Sequence, residues 1–197
     1  MTTTVTGLFD RYDDAKAAVT NLEAAGISSR DISIIANNGD NYHKTAAGGD
    51  AATGAGVGAA VGGVGGLLTG LGILAIPGVG PVVAAGWLVA TAVGAVAGAA
   101  VGGATGGIVG SLTKEGVPEH DAHIYAEGVR RGGSLVTARV PDTKATEAKA
   151  ILDRSRNVDI GKRGAEYRAA GWNKFDDRAT VLPPGEIEAY RNRRPDL

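Results

Sequence analysis

Residues 51–113 read AATGAGVGAAVGGVGGLLTGLGILAIPGVGPVVAAGWLVATAVGAVAGAAVGGATGGIVGSLT and contain no Asp, Glu, Lys, Arg or His. Within this charge-free stretch, glycine recurs at four-residue steps in two separate runs. A four-residue step stays close to one face of a helix, and a stripe of glycines leaves a groove that another helix can approach closely. The spacing therefore predicts two helices that pack through glycine stripes. The runs are Gly54, Gly58, Gly62, Gly66 and Gly70, and then Gly86, Gly94, Gly98, Gly102, Gly106 and Gly110, with Ala90 at the vacant step.

The segment between the two runs, residues 76–81, reads IPGVGP. Its two prolines and two glycines interrupt a helix and favour a tight reversal of the chain. We therefore predict a helical hairpin with arms at residues 52–75 and 82–111. Its turn consists of Pro77, Gly78, Gly80 and Pro81.

Two environments remain open for this hairpin. Each arm exceeds the roughly 20 apolar residues that span a bilayer core. Glycine destabilises a water-exposed helix by about 1 kcal/mol per residue relative to alanine, yet it is more frequent in membrane helices than in soluble ones. These properties favour membrane insertion. The alternative is a soluble homo-oligomer built from packed hairpins, which is favoured by a composition of mainly Ala, Val and Gly instead of Leu.

The composition of the chain excludes several kinds of protein. The 197 residues carry a net charge of −1 and include no cysteine, so disulfides, thiolate metal sites and cysteine nucleophiles are absent. The sequence has no stripe of basic residues of the kind that nucleic-acid binding requires. The first residues, MTTTVTG, lack the basic and apolar regions of a secretory signal. Because a hairpin returns the chain to the side it left, both flanks are expected in the cytoplasm.

The flanks of the hairpin predict two strand-and-helix units. Before it, residues 5–9 are β-prone, Asp10 is a suitable N-cap for a helix that ends at Gly26, and residues 32–36 form a second strand. Pairs of such units are typical of small open sheets covered by helices.

After the hairpin, a helix is predicted to begin at Pro118 and to end at Gly132. Residues 134–140 alternate in polarity as a third strand, Asp142 caps another helix, and residues 158–160 form a short fourth strand.

The two units predict an α+β fold, namely a small ferredoxin-like sandwich with four strands and with helices on one face. The hairpin interrupts this sandwich between the second and third strands. In the tail, Trp172 and Phe175 have two open roles, either at a membrane interface or covering an edge of the sheet. The predicted organisation is a first half of the α+β domain at 1–50, the hairpin at 51–113, the second half at 114–163, and a polar, partly irregular C-terminal tail at 164–197.

Four short motifs point to a known family. Residues 7–10 (GLFD), 31–34 (DISI), 116–119 (GVPE) and 125–133 (YAEGVRRGG) resemble the bacterial general stress protein family with its heat-induced stress protein domain. The resemblance extends over residues 5–163 and includes the glycine-rich insert. It implies a non-enzymatic, stress-associated protein of the bacterial cytoplasm or inner membrane, with no established cofactor or catalytic residues.

A cofactor site is not predicted. Residues 54–59 (GAGVGA) have the form of a dinucleotide-binding loop, but they follow a polar loop where that motif follows a strand, and the next acidic residue is Glu115. The four-residue spacing of glycine explains the same residues.

Two candidate sites lie after the hairpin. Glu119, His123 and Glu127 fall one helical turn apart, so that they share a face suited to a divalent cation, although acidic residues in a first turn are also ordinary capping chemistry. Arg130 and Arg131 precede two glycines, an arrangement that suits a phosphate or a lipid headgroup and is equally common as a helix end.

The sequence leaves three hypotheses for function. The first is a non-enzymatic stress protein that uses its glycine-striped hairpin for membrane insertion or self-association, with a cytoplasmic domain for a protein partner. The second is a soluble homo-oligomeric scaffold assembled through the same hairpins. The third is a ligand-sensing regulatory module, by analogy with other ferredoxin-like domains.

Overall fold

The computed structural model describes residues 1–40, 66–69, 71–89 and 107–192. Strands and helices alternate irregularly along these ranges. In chain order they are β1 (Thr2–Phe9), α1 (Tyr12–Ala24), a 3₁₀ turn (Ser29–Asp31), β2 (Ile32–Asn37), the single-turn α2 (Gly66–Thr69), β3 (Gly72–Ile76), β4 (Gly80–Gly86), α3 (Gly107–Lys114), α4 (Glu119–Arg130), β5 (Ser134–Pro141), α5 (Asp142–Arg154), α6 (Ile160–Ala169) and α7 (Pro184–Asn192).

The described strands form one sheet in the order β1-β5-β2-β4-β3, and every neighbouring pair is antiparallel. Strands β1 and β2 therefore run parallel to each other with β5 between them, and α1 connects them. All six residues of β2 are buried. The prediction of an α+β fold is confirmed.

Helices cover both faces of the sheet. On one face, α1, α5 and Leu67 of α2 pack against Ile32, Ile34 and Val136. On the other face, α3 and α4 pack against Ile35 and Leu135. The prediction of helices on one face is wrong, because consecutive residues of β2 and β5 are apolar and side chains of a strand alternate between its two faces.

The predicted helical arms at residues 52–75 and 82–111 are wrong where the structure describes them as strands. Strands β3 and β4 pair from Ile76↔Gly80 to Gly72↔Ala84, and β4 also pairs with β2. The chain reverses at residues 77–79, and the reversal joins two strands instead of two helices. Gly78 and Gly80 have φ of 72° and 95° there, a backbone conformation that glycine adopts without strain.

The glycine stripe is only partly within the described residues. Gly66 lies in α2 and Gly110 in α3, whereas Gly86 ends β4 with φ of 97° and does not belong to a helical groove. No helix in the described ranges is both long and apolar enough to cross a bilayer. The remaining positions of the prediction lie outside the described residues: Gly54, Gly58, Gly62, Gly70, Gly94, Gly98, Gly102 and Gly106.

The fourth strand predicted at residues 158–160 is not a strand. The Val158 N–H donates to the carbonyl of Leu8 in β1 at 2.7 Å, but this single hydrogen bond does not make residues 158–160 a strand. Helix α6 then begins at Ile160, because the Asp159 carboxylate caps it by accepting from the Lys162 N–H at 3.0 Å. The ferredoxin-like four-stranded sandwich is therefore not confirmed, since the described sheet has five strands and includes β3 and β4.

The C-terminal tail, predicted as partly irregular, packs onto the sheet and its helices. Phe175 is buried in the same core as Val79, so of its two open roles the structure shows packing on the protein. The segment after it crosses the β3–β4 turn, where a Cβ added at Gly78 would lie 2.7 Å from the Asp176 carbonyl oxygen. Ile187 of α7 is fully buried.

Replacing Gly86 by alanine should destabilise the sheet, because φ is 97° and the new Cβ would lie 2.2 Å from the Ile32 carbonyl oxygen. We expect Gly86→Ala to lower the free energy of unfolding by about 2–3 kcal/mol or more. Gly72→Ala is the control, since nothing lies within 4 Å of its added Cβ, and it should change stability by less than about 0.5 kcal/mol. Urea denaturation measures both, and equal midpoints for the two variants would contradict the described β2–β4 pairing.

Candidate functional site

A cavity of about 370 Å³ opens where the end of α4 meets α6 and α7. Its walls come from both ends of the sequence, so it exists only in the folded chain. We call it the arginine cavity after its three guanidinium groups. The lining residues are Asp10, Gly128, Arg131, Gly132, Gly133, Arg163, Glu166, Tyr167, Ala170, Tyr190 and Arg191.

Arg131 follows the last residue of α4, and its guanidinium group forms an ion pair with Glu127. Its Nε donates to Glu127 Oε1 at 2.6 Å, and the Arg130 Nη1 reaches the same oxygen at 3.3 Å. The Glu127 side chain is only 1 % exposed, so this carboxylate has the charged partners that a buried charge requires. The Arg131 guanidinium also lies 4.3 Å from the ring centre of Tyr167 and 5.0 Å from that of Tyr190, contacts that favour a fixed position for a cation.

Arg163 forms a two-pronged ion pair with Asp10. Its Nη1 and Nη2 each donate to one oxygen of the carboxylate at 2.8 Å, and its Nε lies 3.4 Å from Glu166 Oε2. Burial lowers the pKa of Arg163, but the hydrogen bonds and the charge of Asp10 outweigh burial and raise the pKa above its ordinary value. The predicted role of Asp10 as an N-cap is wrong, since Arg11 occupies that position and makes no side-chain cap.

Arg191 joins α7 to the end of β2. Its Nη1 donates to the Asp40 carboxylate, and its Nη2 lies 3.4 Å from the Asn37 carbonyl oxygen. The Asn37 side chain in turn donates to the Arg130 carbonyl at 3.2 Å. These bonds fix the third guanidinium at the cavity.

The two glycines after Arg131 allow close packing, but they offer no free donors. Gly132 has φ of 103°, and a Cβ there would lie 3.2 Å from Ile187 of α7. The Gly132 and Gly133 N–H groups donate to the carbonyls of Val129 and Gly128. These two backbone N–H groups therefore do not add donors to the phosphate or headgroup site predicted at Arg130 and Arg131, because the end of α4 uses them.

Tyr167 presents a neutral phenol to the cavity. Burial raises its pKa, although the nearby Arg163 and Arg131 charges act in the opposite direction. Its ring packs edge-on against Trp172, with the centres 5.5 Å apart. At neutral pH its hydroxyl thus keeps its proton and remains a donor as well as an acceptor.

The two candidate sites from the sequence have different outcomes. Of the predicted arginine pair, Arg131 lines the cavity, whereas Arg130 is not a lining residue and donates to the Thr180 carbonyl at 3.0 Å. The metal candidate is not assembled, because the Glu127 carboxylate is engaged by Arg130 and Arg131.

Glu119 and His123 of the same candidate do approach each other, with Oε1 and Nε2 3.7 Å apart. Among the residues that the structure describes, no group of three or more His, Asp or Glu side chains is placed to hold a metal ion.

Sequence reasoning missed most of the cavity. Arg163, Tyr167, Tyr190 and Arg191 come from α6 and α7, whose bounds fall at or beyond the end of the recognised motifs. The available signal was the aromatic residues in an otherwise polar tail. An aromatic ring is stabilised by packing against the protein, so its presence in a polar segment indicates a buried contact.

Comparison with known proteins identifies part of the chain. Residues 4–74 match the family described as the heat induced stress protein YflT domain, which confirms the resemblance to this family over that segment. Of the cavity residues, only Asp10 lies within the match. Neither the curated proteins nor the solved structures contain a match to the chain.

The Asp10–Arg163 pair should be worth more than an exposed ion pair, because it is two-pronged and the Arg163 side chain is only 15 % exposed. A double-mutant cycle with Asp10→Ala and Arg163→Ala should give a coupling energy of about 1–3 kcal/mol. The matched control is the exposed Lys149–Asp153 pair at 2.9 Å, for which we expect less than about 0.5 kcal/mol. Thermal and urea unfolding provide the values, and equal coupling in both cycles would mean that Asp10 does not hold Arg163.

Proposed function

We propose that this chain is a non-enzymatic stress-associated protein whose α+β domain binds a small anionic ligand in the arginine cavity. The match to a stress-protein family supports the association with stress. The observation that carries the binding function is that three arginines, Arg131, Arg163 and Arg191, line one cavity of about 370 Å³. This is the ligand-sensing alternative among the hypotheses from the sequence.

The guanidinium groups are preorganised for binding. Each is paired with a carboxylate, namely Glu127, Asp10 or Asp40, and the Arg side chains are between 12 % and 16 % exposed. A side chain that is already ordered loses little conformational entropy when a ligand binds, and the affinity is higher as a result.

The arginines of the cavity wall supply hydrogen-bond donors that suit an anion. Glu127 and Asp40 are not lining residues, and their ion pairs hold Arg131 and Arg191 in position. The lining contains three arginines and two carboxylates, Asp10 and Glu166. Counted with their ion-pair partners Glu127 and Asp40, the arginines are balanced by carboxylates, so the cavity offers oriented donors instead of a net positive charge. Both oxygens of the Asp10 carboxylate accept hydrogen bonds from Arg163. This carboxylate is therefore already paired within the cavity wall.

Anions should raise the melting temperature of the protein in a way that depends on Arg131. With sulfate, phosphate and citrate compared against chloride at equal ionic strength, we expect a dose-dependent increase for the unmodified chain. Arg131→Gln should weaken binding at least tenfold, since it removes a charge and its forked donors. Lys149→Gln, a change at an exposed side chain of α5, is the control for lost positive charge.

Calorimetric titration gives the affinities for this comparison. If no anion exceeds the effect of chloride, or if Lys149→Gln weakens binding as much as Arg131→Gln, the cavity is not the binding site and the proposed function is wrong.

The glycine runs support a second proposal, self-association with or without membrane insertion. In the sequence they combine four-residue glycine spacing with the absence of charge, and both properties favour close helix contact. A membrane-inserted form would lie on the cytoplasmic side of the bacterial inner membrane, whereas a soluble scaffold would be cytoplasmic.

Disrupting the runs should change the size of the particle. We expect Gly62→Leu combined with Gly98→Leu to lower the subunit number on sizing chromatography with light scattering, because leucine fills the groove that glycine leaves open. Fractionation of native cells separates the two environments, since recovery in the detergent-free soluble pool excludes the membrane form. An unchanged oligomer in the double variant would exclude self-association through these glycines.

A further inference from the structure

We propose that the ligand of the arginine cavity is a phosphate monoester carried on a hydroxylated ring, that is, a sugar phosphate or a mononucleotide. The inference rests on the proposed anion-binding function and specifies its chemistry. Three features of the cavity lead to it: the number of guanidinium groups, the volume, and the presence of a carboxylate at the rim.

The guanidinium groups suit a phosphoryl group better than a carboxylate. A carboxylate has two oxygens in one plane and pairs well with one arginine fork, whereas a phosphoryl group has three oxygens arranged around a tetrahedron. Arg131, Arg163 and Arg191 reach the cavity from the end of α4, from α6 and from α7, that is, from three separate elements. Such an arrangement matches donors to oxygens that point in different directions.

Arg131 has the donors for this role. A guanidinium carries five N–H groups, and the hydrogen bonds to Glu127 and to the Tyr190 hydroxyl use one from Nε and one from Nη1. Because Nε is fixed by Glu127 at 2.6 Å, the opposite end of the guanidinium is directed away from that carboxylate. A phosphate monoester has a second pKa near 6 and is mainly a dianion at neutral pH, so its three terminal oxygens all accept hydrogen bonds from such donors.

The volume of the cavity requires more than a phosphate. At about 370 Å³ it falls within the range of about 300–1,000 Å³ that is typical of sites for organic ligands. An inorganic phosphate would leave most of this space to water. Tyr167, Tyr190 and Ala170 supply apolar wall beside the arginines, and rings of a ligand pack favourably against such surfaces.

Glu166 identifies hydroxyl groups as the second feature of the ligand. Its side chain is 66 % exposed and lies at the rim, with Oε2 3.4 Å from Arg163 Nε. An ionised carboxylate only accepts hydrogen bonds, and an anion with no proton to donate, such as sulfate, would be repelled by it. A ring that carries hydroxyls has donors for Glu166 while its phosphate contacts the arginines, so the same ligand satisfies both signs of charge.

The test is calorimetric titration of the full chain at pH 7.5 and constant ionic strength with ribose 5-phosphate, AMP, inorganic phosphate, ribose and adenosine. We expect both phosphate esters to bind at least tenfold more tightly than inorganic phosphate, and neither ribose nor adenosine to bind measurably. Tighter binding of AMP than of ribose 5-phosphate assigns the site to nucleotides, and equal binding assigns it to sugar phosphates.

Glu166→Gln provides the variant that separates this inference from simple anion binding. It should weaken binding of ribose 5-phosphate at least fivefold, and it should leave binding of sulfate, which has no proton to donate, unchanged or tighter, because a repelling charge is removed. Glu188→Gln, at an exposed position of α7, is the matched control and should leave both affinities unchanged. Since Glu166 is mostly exposed, the variant is expected to fold.

The outcomes that would overturn the inference are distinct from those that would overturn the proposed function. Inorganic phosphate, sulfate or citrate binding as tightly as the esters would leave anion binding in place and refute the phosphate-ester class. An identical effect of Glu166→Gln on the binding of ribose 5-phosphate and of sulfate would refute the role of the ring hydroxyls. Absence of binding by every anion would refute the proposed function itself.

Discussion

The fold depends on the pairing of β5 with two strands that lie far from it in the sequence. β5 pairs with β1 along its whole length, from Thr2↔Pro141 to Phe9↔Ser134, and with β2 on its other side. Its neighbouring residues Leu135 and Val136 belong to the two opposite cores. Both layers of helices are therefore attached to one strand, and β1 and β2, which run parallel, are held together only through it in the described sheet.

The same pairing places the arginine cavity. Because Phe9 pairs with Ser134, Asp10 and Gly133 emerge side by side at one end of the sheet. Gly128 lets α4 lie directly on β1, since a Cβ there would be 2.5 Å from Leu8 Cδ2. Arg131 consequently reaches the end of β1, where Asp10 already holds Arg163. A site built from three helices is thus positioned by two strands.

Local patterns in the sequence predict the elements whose apolar residues repeat clearly. The strands around residues 5–9, 32–36 and 134–140, and the helix ends at Gly26 and Gly132, follow from alternation and from stop signals that act over a few residues. These features depend on neighbours in the chain and do not require knowledge of the tertiary structure.

The glycine-rich stretch could not be assigned in this way. A short apolar run bounded by glycine and proline suits a buried strand and a buried helix equally, and four-residue glycine spacing favoured the helix. For residues 72–76 and 80–86 the outcome is decided by β2, whose edge accepts β4. The cavity could not be predicted either, because the motif RRGG at residues 130–133 indicates two arginines, of which only Arg131 lines the cavity, and nothing in its spacing indicates Arg163 or Arg191.

The path of the C-terminal tail over the β3–β4 turn has a consequence for synthesis of the protein. Ribosomes make a chain from its N-terminus, so Tyr190 and Arg191 emerge after every strand of the described sheet. Until they do, the walls formed by α7 are missing, and Gly132 faces the space that Ile187 later fills. A nascent chain can therefore pair its strands before the walls of the arginine cavity are complete. A chain that is cut before α7 would keep every strand of the described sheet and lose one wall of the cavity.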